Sequence, residues 1–263
     1  MPSQISVKTA NNLVKSRTKK QEVRMKALNK TSLTVFIGII AINMLVFTQI
    51  RPASIQQPMP DFTLPVYQGG EITLSEFKGK NVLLIFPRGL AGKDHWCHVC
   101  NYQYAELADL ETSKNIRGEN DLEIIFVLPY SKEMIQDWVD KFAAQMADIE
   151  KWKNPEDPEK LDERGRRRLD MVKKYFPKSY TFEKGKVPLP FPILIDAERE
   201  ISKGLGVFTT EWGGSEIEQN VPTIYIIDKK GILRFKYISQ NTFDRPGPGY
   251  LLEFISFMKL SEK

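Results

Sequence analysis

Thiols and imidazoles are scarce: the 263 residues hold two cysteines and two histidines. Two thiols form at most one bridge, so a disulfide-stapled scaffold is excluded, and the four soft ligands, all within six positions, lie too close together to complete a regular tetrahedral zinc site. Internal repeats and low-complexity tracts are absent too. Glycine and proline, at 16 each, are far below collagen-like levels. With 41% hydrophobic and 27% charged residues the composition is that of a folded chain. The length suits one large domain or two small ones, either able to bury a core without covalent staples.

The formal charge of +5 hints at nucleic acid until it is divided along the chain. Residues 1–31 carry eight bases against one acid, whereas residues 52–263 hold 29 bases and 32 acids. The basic excess is an N-terminal tail on a mildly acidic body, and no nucleic-acid partner is expected. Long apolar runs are equally rare, and the one present follows that tail. Residues 32–50, SLTVFIGIIAINMLVFTQI, contain no charge. As a helix they would span about 28 Å, close to the hydrocarbon core of a bilayer. A cleaved signal peptide is the competing reading, but the basic region is long and Arg51-Pro52-Ala53-Ser54 is no small-x-small cleavage site. An uncleaved single-pass anchor is expected, embedded in the lipid bilayer. The positive-inside rule then puts residues 1–31 in the cytoplasm and the rest outside it, periplasmic in a Gram-negative bacterium.

Residues 51–60, rich in Pro and Gln, read as a linker to a domain over 61–263. That domain alternates like an α/β protein. Residues 61–64 and 71–74 flank Gln68-Gly69-Gly70 as a small hairpin, and NVLLIF (81–86) and LEIIFVL (122–128) suit strands buried on both faces. Helical spacing covers 97–116, and another helix begins at Ser131 with Ile135, Trp138, Val139 and Phe142 as its apolar stripe. Residues 148–186 break the pattern. They are dense in charge, and read as a solvated helical insertion with one apolar face, or as an element that docks a partner or covers a substrate. Strand, helix and strand pair resume at 191–195, 197–205, 223–228 and 232–238, and a last helix covers 250–260.

The chemistry is concentrated in one place. Both cysteines and both histidines fall within His95-Trp96-Cys97-His98-Val99-Cys100. No further Cys or His remains for a metal, and Asn101 after Cys100 departs from the order of haem attachment, so neither metal nor organic cofactor is expected. A redox dithiol is left. Cys97 stands where a buried strand and loop meet a helix, so its sulfur should lie over free backbone N–H groups that favour a thiolate. Cys100, one turn on and more sheltered, would resolve a mixed disulfide formed at an exposed Cys97. A protonated His98 would add charge stabilisation to that thiolate, unless it is simply a solvated side chain of the first turn.

Several segments together resemble the thioredoxin superfamily, in the branch of the alkyl hydroperoxide reductase/thiol-specific antioxidant (peroxiredoxin-like) proteins and membrane-anchored thiol-disulfide oxidoreductases. They are Pro60-Asp61-Phe62-Thr63-Leu64, Leu74-Ser75-Glu76-Phe77-Lys78-Gly79-Lys80, residues 82–86, 96–100, 192–196 with 204–207, and Val221-Pro222-Thr223 ahead of Ile226-Ile227-Asp228. The resemblance implies a thioredoxin-like α/β fold: a central mixed sheet flanked by helices, interrupted by the charged insertion. It also implies a cis Val221–Pro222 peptide against the dithiol, leaving the Val221 backbone free to pair with substrate, with Trp96 and Trp212 on the same surface.

Two activities compete within the resemblance. Peroxiredoxins carry Thr or Ser three residues before the peroxidatic Cys, and an Arg that holds the peroxide oxygens. Here Asp94 takes the hydroxyl's place and Pro87-Arg88-Gly89 lies too far upstream, so exchange with protein disulfides is expected ahead of hydroperoxide reduction. Arg88, or Arg245 in Asp244-Arg245-Pro246, keeps the antioxidant peroxidase as second choice. A catalytically idle anchored interaction module comes third, against the intact dithiol. The expected site is Cys97 and Cys100 as catalytic pair, with Trp96, His98, Val221 and Pro222 facing the substrate. Its partners would be protein thiols and disulfides or hydroperoxides, and a membrane or extracytoplasmic redox protein.

Overall fold

Apolar runs of three to seven residues, too short for buried helices, form the strands Asn81–Phe86, Leu122–Leu128, Ile193–Ile195 and Thr223–Ile227 of the central sheet. The computed structural model describes residues 51–261. The expected basic tail and membrane span lie outside them. In chain order the elements begin with the hairpin β1 (Thr63–Pro65) and β2 (Glu71–Thr73), then β3 (Asn81–Phe86), β4 (Leu90–Gly92) and β5 (His95–Trp96). Next come α1 (His98–Lys114), α2 (Ile116–Asn120), β6 (Leu122–Leu128), α3 (Lys132–Lys153) and α4 (Glu163–Tyr175). The chain continues with β7 (Ile193–Ile195), α5 (Glu200–Gly204), β8 (Phe208–Trp212), β9 (Ser215–Asn220), β10 (Thr223–Ile227), β11 (Leu233–Ile238) and α6 (Pro248–Ser261).

The central sheet has the order β11-β10-β3-β6-β7. β3, β6 and β7 run parallel, and β10 is antiparallel to both of its neighbours, so the sheet is mixed as expected. Side chains alternate between two cores with the period of a strand. Leu83, Ile85, Ile124, Phe126, Ile224 and Ile226 face one. Val82, Leu84, Phe86, Ile125, Val127, Tyr225 and Ile227 face the other. Burial on both sides explains why β3 and β6 read as unbroken apolar runs.

The first core is closed by α1, α3 and α6. Ser131 caps α3, its Oγ accepting from Met134 N at 3.5 Å, and Ile135, Trp138, Val139 and Phe142 are all buried. That helix continues unbroken through Met146 and Ile149 to Lys153, so the charged insertion begins later than residue 148. Beyond it α4 is capped by Asp162, which accepts from Gly165 N at 2.7 Å. The insertion also reaches further inward than a solvated appendage: Val172, Phe176 and Tyr180 belong to the first core, with Phe176 and Tyr180 against the Tyr102 ring at 4.9 and 5.3 Å. Among the described residues no helix is long and apolar enough to cross a membrane.

Residues 51–60 are more than a linker. Gln56 N donates to Leu233 O, Leu233 N to Gln57 O and Met59 N to Gly231 O, at 2.8 to 2.9 Å, while Ala53 and Met59 are buried in the second core. The segment straps the outer edge of β11, whose backbone groups would otherwise be open to another strand. Sequence pattern hides this, because the strap is held through backbone atoms.

Candidate active site

β3 ends at Phe86, and the chain turns through Pro87-Arg88-Gly89 into the β4–β5 hairpin that delivers Cys97. Gly89 is required there: its φ is +80°, and a Cβ would stand 2.3 Å from the Tyr130 ring. Tyr130 locks the loop, accepting from Leu90 N and donating to Glu218 O, both at 2.9 Å. Cys97 N donates to Gly89 O at 2.9 Å, which sets the residue at the start of α1. Cys97 is the N-cap of α1, its Sγ accepting from Cys100 N at 3.3 Å.

The two sulfurs lie 2.8 Å apart, with the Cys100 thiol donating to Cys97 Sγ. Arg88 N donates to Cys100 Sγ at 3.3 Å. Arg245 Nη2 approaches Cys97 Sγ at 3.8 Å. Burial alone would push the Cys97 thiol up. The Cys100 thiol and backbone N–H and the charges of Arg245 and Arg88 outweigh it, and bring Cys97 down to about 5. Cys100 moves the other way, held protonated by burial and by donating to Cys97. The pair is thus divided into a thiolate nucleophile and a protonated partner.

Each arginine belongs to a separate support. Arg88 is buried and donates from Nε to Gln219 Oε1 at 2.6 Å and from Nη2 to Trp212 O and Ser215 Oγ at 2.7 and 3.0 Å. Its guanidinium stacks on the Trp212 ring at 5.1 Å, pinning the β8–β9 hairpin beside the site. Arg245 sits in the loop after β11 and donates from Nη1 to Thr242 O at 3.1 Å. Behind the dithiol, Trp138 Nε1 donates to Asn101 Oδ1 at 2.7 Å, Asn101 Nδ2 donates to Gln145 Oε1, and Gln145 Nε2 donates to Trp96 O at 2.9 Å. These side-chain amides fasten the first turn of α1 to α3.

Several expectations are corrected. Cys97 is not the exposed member of the pair: both sulfur residues are 5% exposed. His98 does not stabilise the thiolate. It is buried against Trp152, with ring centroids 4.4 Å apart, and burial and the adjacent His95 lower it to about 4 despite Asp148, so it is neutral near pH 7. Trp96 offers no substrate surface, being fully buried, edge-on to Tyr130 and donating to Asp137 at 2.9 Å. The Val221–Pro222 peptide is trans, since no described residue has a cis bond. Val221 is not free either: its N–H donates to Val207 O at 2.7 Å and its carbonyl accepts from Thr223 Oγ1 at 2.8 Å. Asp94 is exposed on the β4–β5 turn and is not among the groups that shift Cys97.

Cys97 and Cys100 are brought together as expected, and Arg88 and Arg245, kept by the sequence only as alternatives for the second-choice activity, both reach the pair. Tyr130, Gln219, Asn101 and Gln145 were missed. An aromatic two residues past the end of a buried strand was the one usable signal, for Tyr130; the amides carry none.

A mixed sheet with an ionised thiol capping the first helix and a second thiol one turn behind defines a thioredoxin-like redox domain of peroxiredoxin-like type. The AhpC/TSA family model matches residues 55–236, and the chain belongs to that family. No curated protein matches it. Among solved structures it is similar to a peroxiredoxin 6 of Arenicola marina, at 13% identity over 80% of this chain and 75% of that one, with a TM-score of 0.52. A reduced 2-Cys peroxiredoxin of Plasmodium vivax is 18% identical over 80% and 84% of the two chains, with a TM-score of 0.47.

Proposed function

We propose that the chain is a thiol-dependent peroxidase: Cys97 reduces a small hydroperoxide and Cys100 closes the disulfide. The carrying observation is the Cys97 sulfur, enclosed yet ionised, beside Arg245 at 3.8 Å. The thiolate attacks one oxygen of the peroxide, the O–O bond breaks, and the departing oxygen leaves as an alcohol or water after taking a proton. Cys97 is then a sulfenic acid. The Cys100 sulfur attacks the Cys97 sulfur, an S–S bond forms, the S–O bond breaks, and water leaves with the Cys100 proton. A thiol reductant returns both sulfurs to the starting state.

The sequence favoured thiol-disulfide exchange with protein substrates, in either direction. Enclosure of both sulfurs and the occupied Val221 backbone weigh toward a smaller one. Exchange with protein disulfides stays as second reading, supported by the two-residue spacing and the helix cap at Cys97. We also read residues 32–50 as a membrane anchor that keeps the redox domain outside the cytoplasm, on the strength of their uncharged composition and the basic tail before them.

Reduced full-length chain mixed with hydrogen peroxide should lose two thiols per peroxide consumed. Cys97→Ser should bring the rate to background. Cys100→Ser should still react once and leave a sulfenic acid that dimedone captures. Thiols that survive peroxide but exchange rapidly with a protein disulfide would replace this reading with the second.

A further inference from the structure

Arg245 reaches Cys97 from a loop, residues 239–247, with few ties to the sheet. Within it Asp244 Oδ2 accepts from Gln240 N and Asn241 N at 2.6 and 3.1 Å, and at its stem Tyr237 donates to Asp244 O at 2.5 Å. Those bonds shape the turn. Ser239 N donates to Pro222 O at 2.9 Å at the loop's start, and Thr242 lies beside Gly213 of the β8–β9 turn, but none of these contacts joins the loop to α1.

The tie toward α1 runs through Phe243, two residues before Arg245. Its ring packs on Tyr175 at 4.9 Å and on Phe176 at 6.4 Å. Both aromatics lie at the C-terminal end of α4, in the insertion. Phe176 is itself fixed by the Tyr102 ring at 4.9 Å, and Lys178 N donates to Tyr102 Oη at 2.8 Å. Tyr102 is on α1, the helix that Cys97 caps. A closed path therefore runs from α1 through Tyr102, Phe176 and Phe243 to Arg245, and back across the sulfur to α1.

We infer that the insertion is a brace: through Tyr175 and Phe176 it holds Phe243, and so keeps the Arg245 guanidinium on the Cys97 sulfur. Phe243, Tyr175 and Phe176 are positioning residues, and none touches the reacting atoms. The inference rests on Cys97 being the reacting sulfur. A charge near 4 Å in a partly buried site acts strongly, and its influence fades as the loop swings away. The charged and titratable groups acting on Cys97 are Arg245, Arg88 and Cys100, and only Arg245 depends on this path.

The test is the pH dependence of Cys97 alkylation by iodoacetamide in the reduced full-length chain, a readout that needs no choice of oxidant. Tyr175→Ala, at a position 38% exposed, and Phe243→Ala should each raise the alkylation midpoint by about one pH unit, toward the value of Arg245→Ala. Phe243→Tyr should keep the wild-type midpoint. Circular dichroism checks that each variant is folded, and Tyr175→Ala alone decides the matter if Phe243→Ala does not fold. A midpoint that moves in Arg245→Ala but stays in the aromatic variants overturns the brace and leaves the peroxidase reading standing. If Arg245→Ala leaves the midpoint in place, the brace is overturned because it has no charge to deliver. An unaltered chain that consumes no peroxide, with the midpoints moving as expected in the variants, would instead overturn the peroxidase reading alone.

Discussion

Cys97 shows how two opposed influences are settled at a single atom. Burial disfavours the thiolate, yet one thiol donor, one backbone N–H and two guanidinium groups bring it down to about 5. Its reaction with peroxide should follow the thiolate fraction. The second-order rate constant should change less than about twofold from pH 6.5 to 8, and fall about tenfold per pH unit below 5. Stopped-flow measurement of thiol loss checks this, and a rate still climbing at pH 8 would mark an ordinary thiol. The same atom explains what sequence reading achieved and where it stopped. Helix capping and dithiol spacing are local, so the N-terminal position of Cys97 and the nearness of Cys100 were legible. His98 was misjudged because its charge depends on Trp152, His95 and burial, and Trp152 lies more than fifty positions along the chain.

Elements differ in how openly the sequence declares them. β3 and β6 were legible as apolar runs, and α3 through its cap at Ser131 and its stripe. The β8–β9 hairpin was not foreseen: its polar, half-exposed strands lack a clean alternation, and Arg88 holds them through groups distant in sequence. The strap over residues 53–59 was likewise hidden by backbone bonding. It carries a prediction of its own. A chain beginning at Asp61 gives up three backbone hydrogen bonds, the Lys236 Nζ bond to Ala53 O and the burial of Ala53 and Met59, and should be less stable than one beginning at Arg51 by about 4 kcal/mol. Urea titration measures the difference. Light scattering should also find the shorter chain associating, since the β11 edge is uncovered. Equal stability of the two chains would show that the strap only lies on the edge without supporting it.

At the scale of the whole molecule, the order β11-β10-β3-β6-β7 puts β3 at the centre of the sheet, and the site grows from its C-terminal end. Burial of β3 and β6 on both faces was legible from run length, whereas the mixed order of the sheet came from the resemblance. The trans Val221–Pro222 bond was not legible, because the expectation came from resemblance and no local signal contradicts it. The reading of residues 32–50 as an anchor makes a claim about the entire chain. After alkaline carbonate extraction the full-length chain should stay with the membrane pellet, and a chain beginning at Arg51 should be found in the supernatant. Recovery of both in the supernatant would remove the anchor.

The amide fastening behind the dithiol has a consequence for how the protein cycles. Asn101, Gln145 and Trp138 tie the opening turn of α1 to α3 by bonds that involve neither sulfur. The scaffold can therefore stay nearly still while electrons come and go, and each round spends little on rebuilding secondary structure. What would alternate in the proposed cycle is charge: each oxidation would strip the arginines of their anion, and each reduction would give it back.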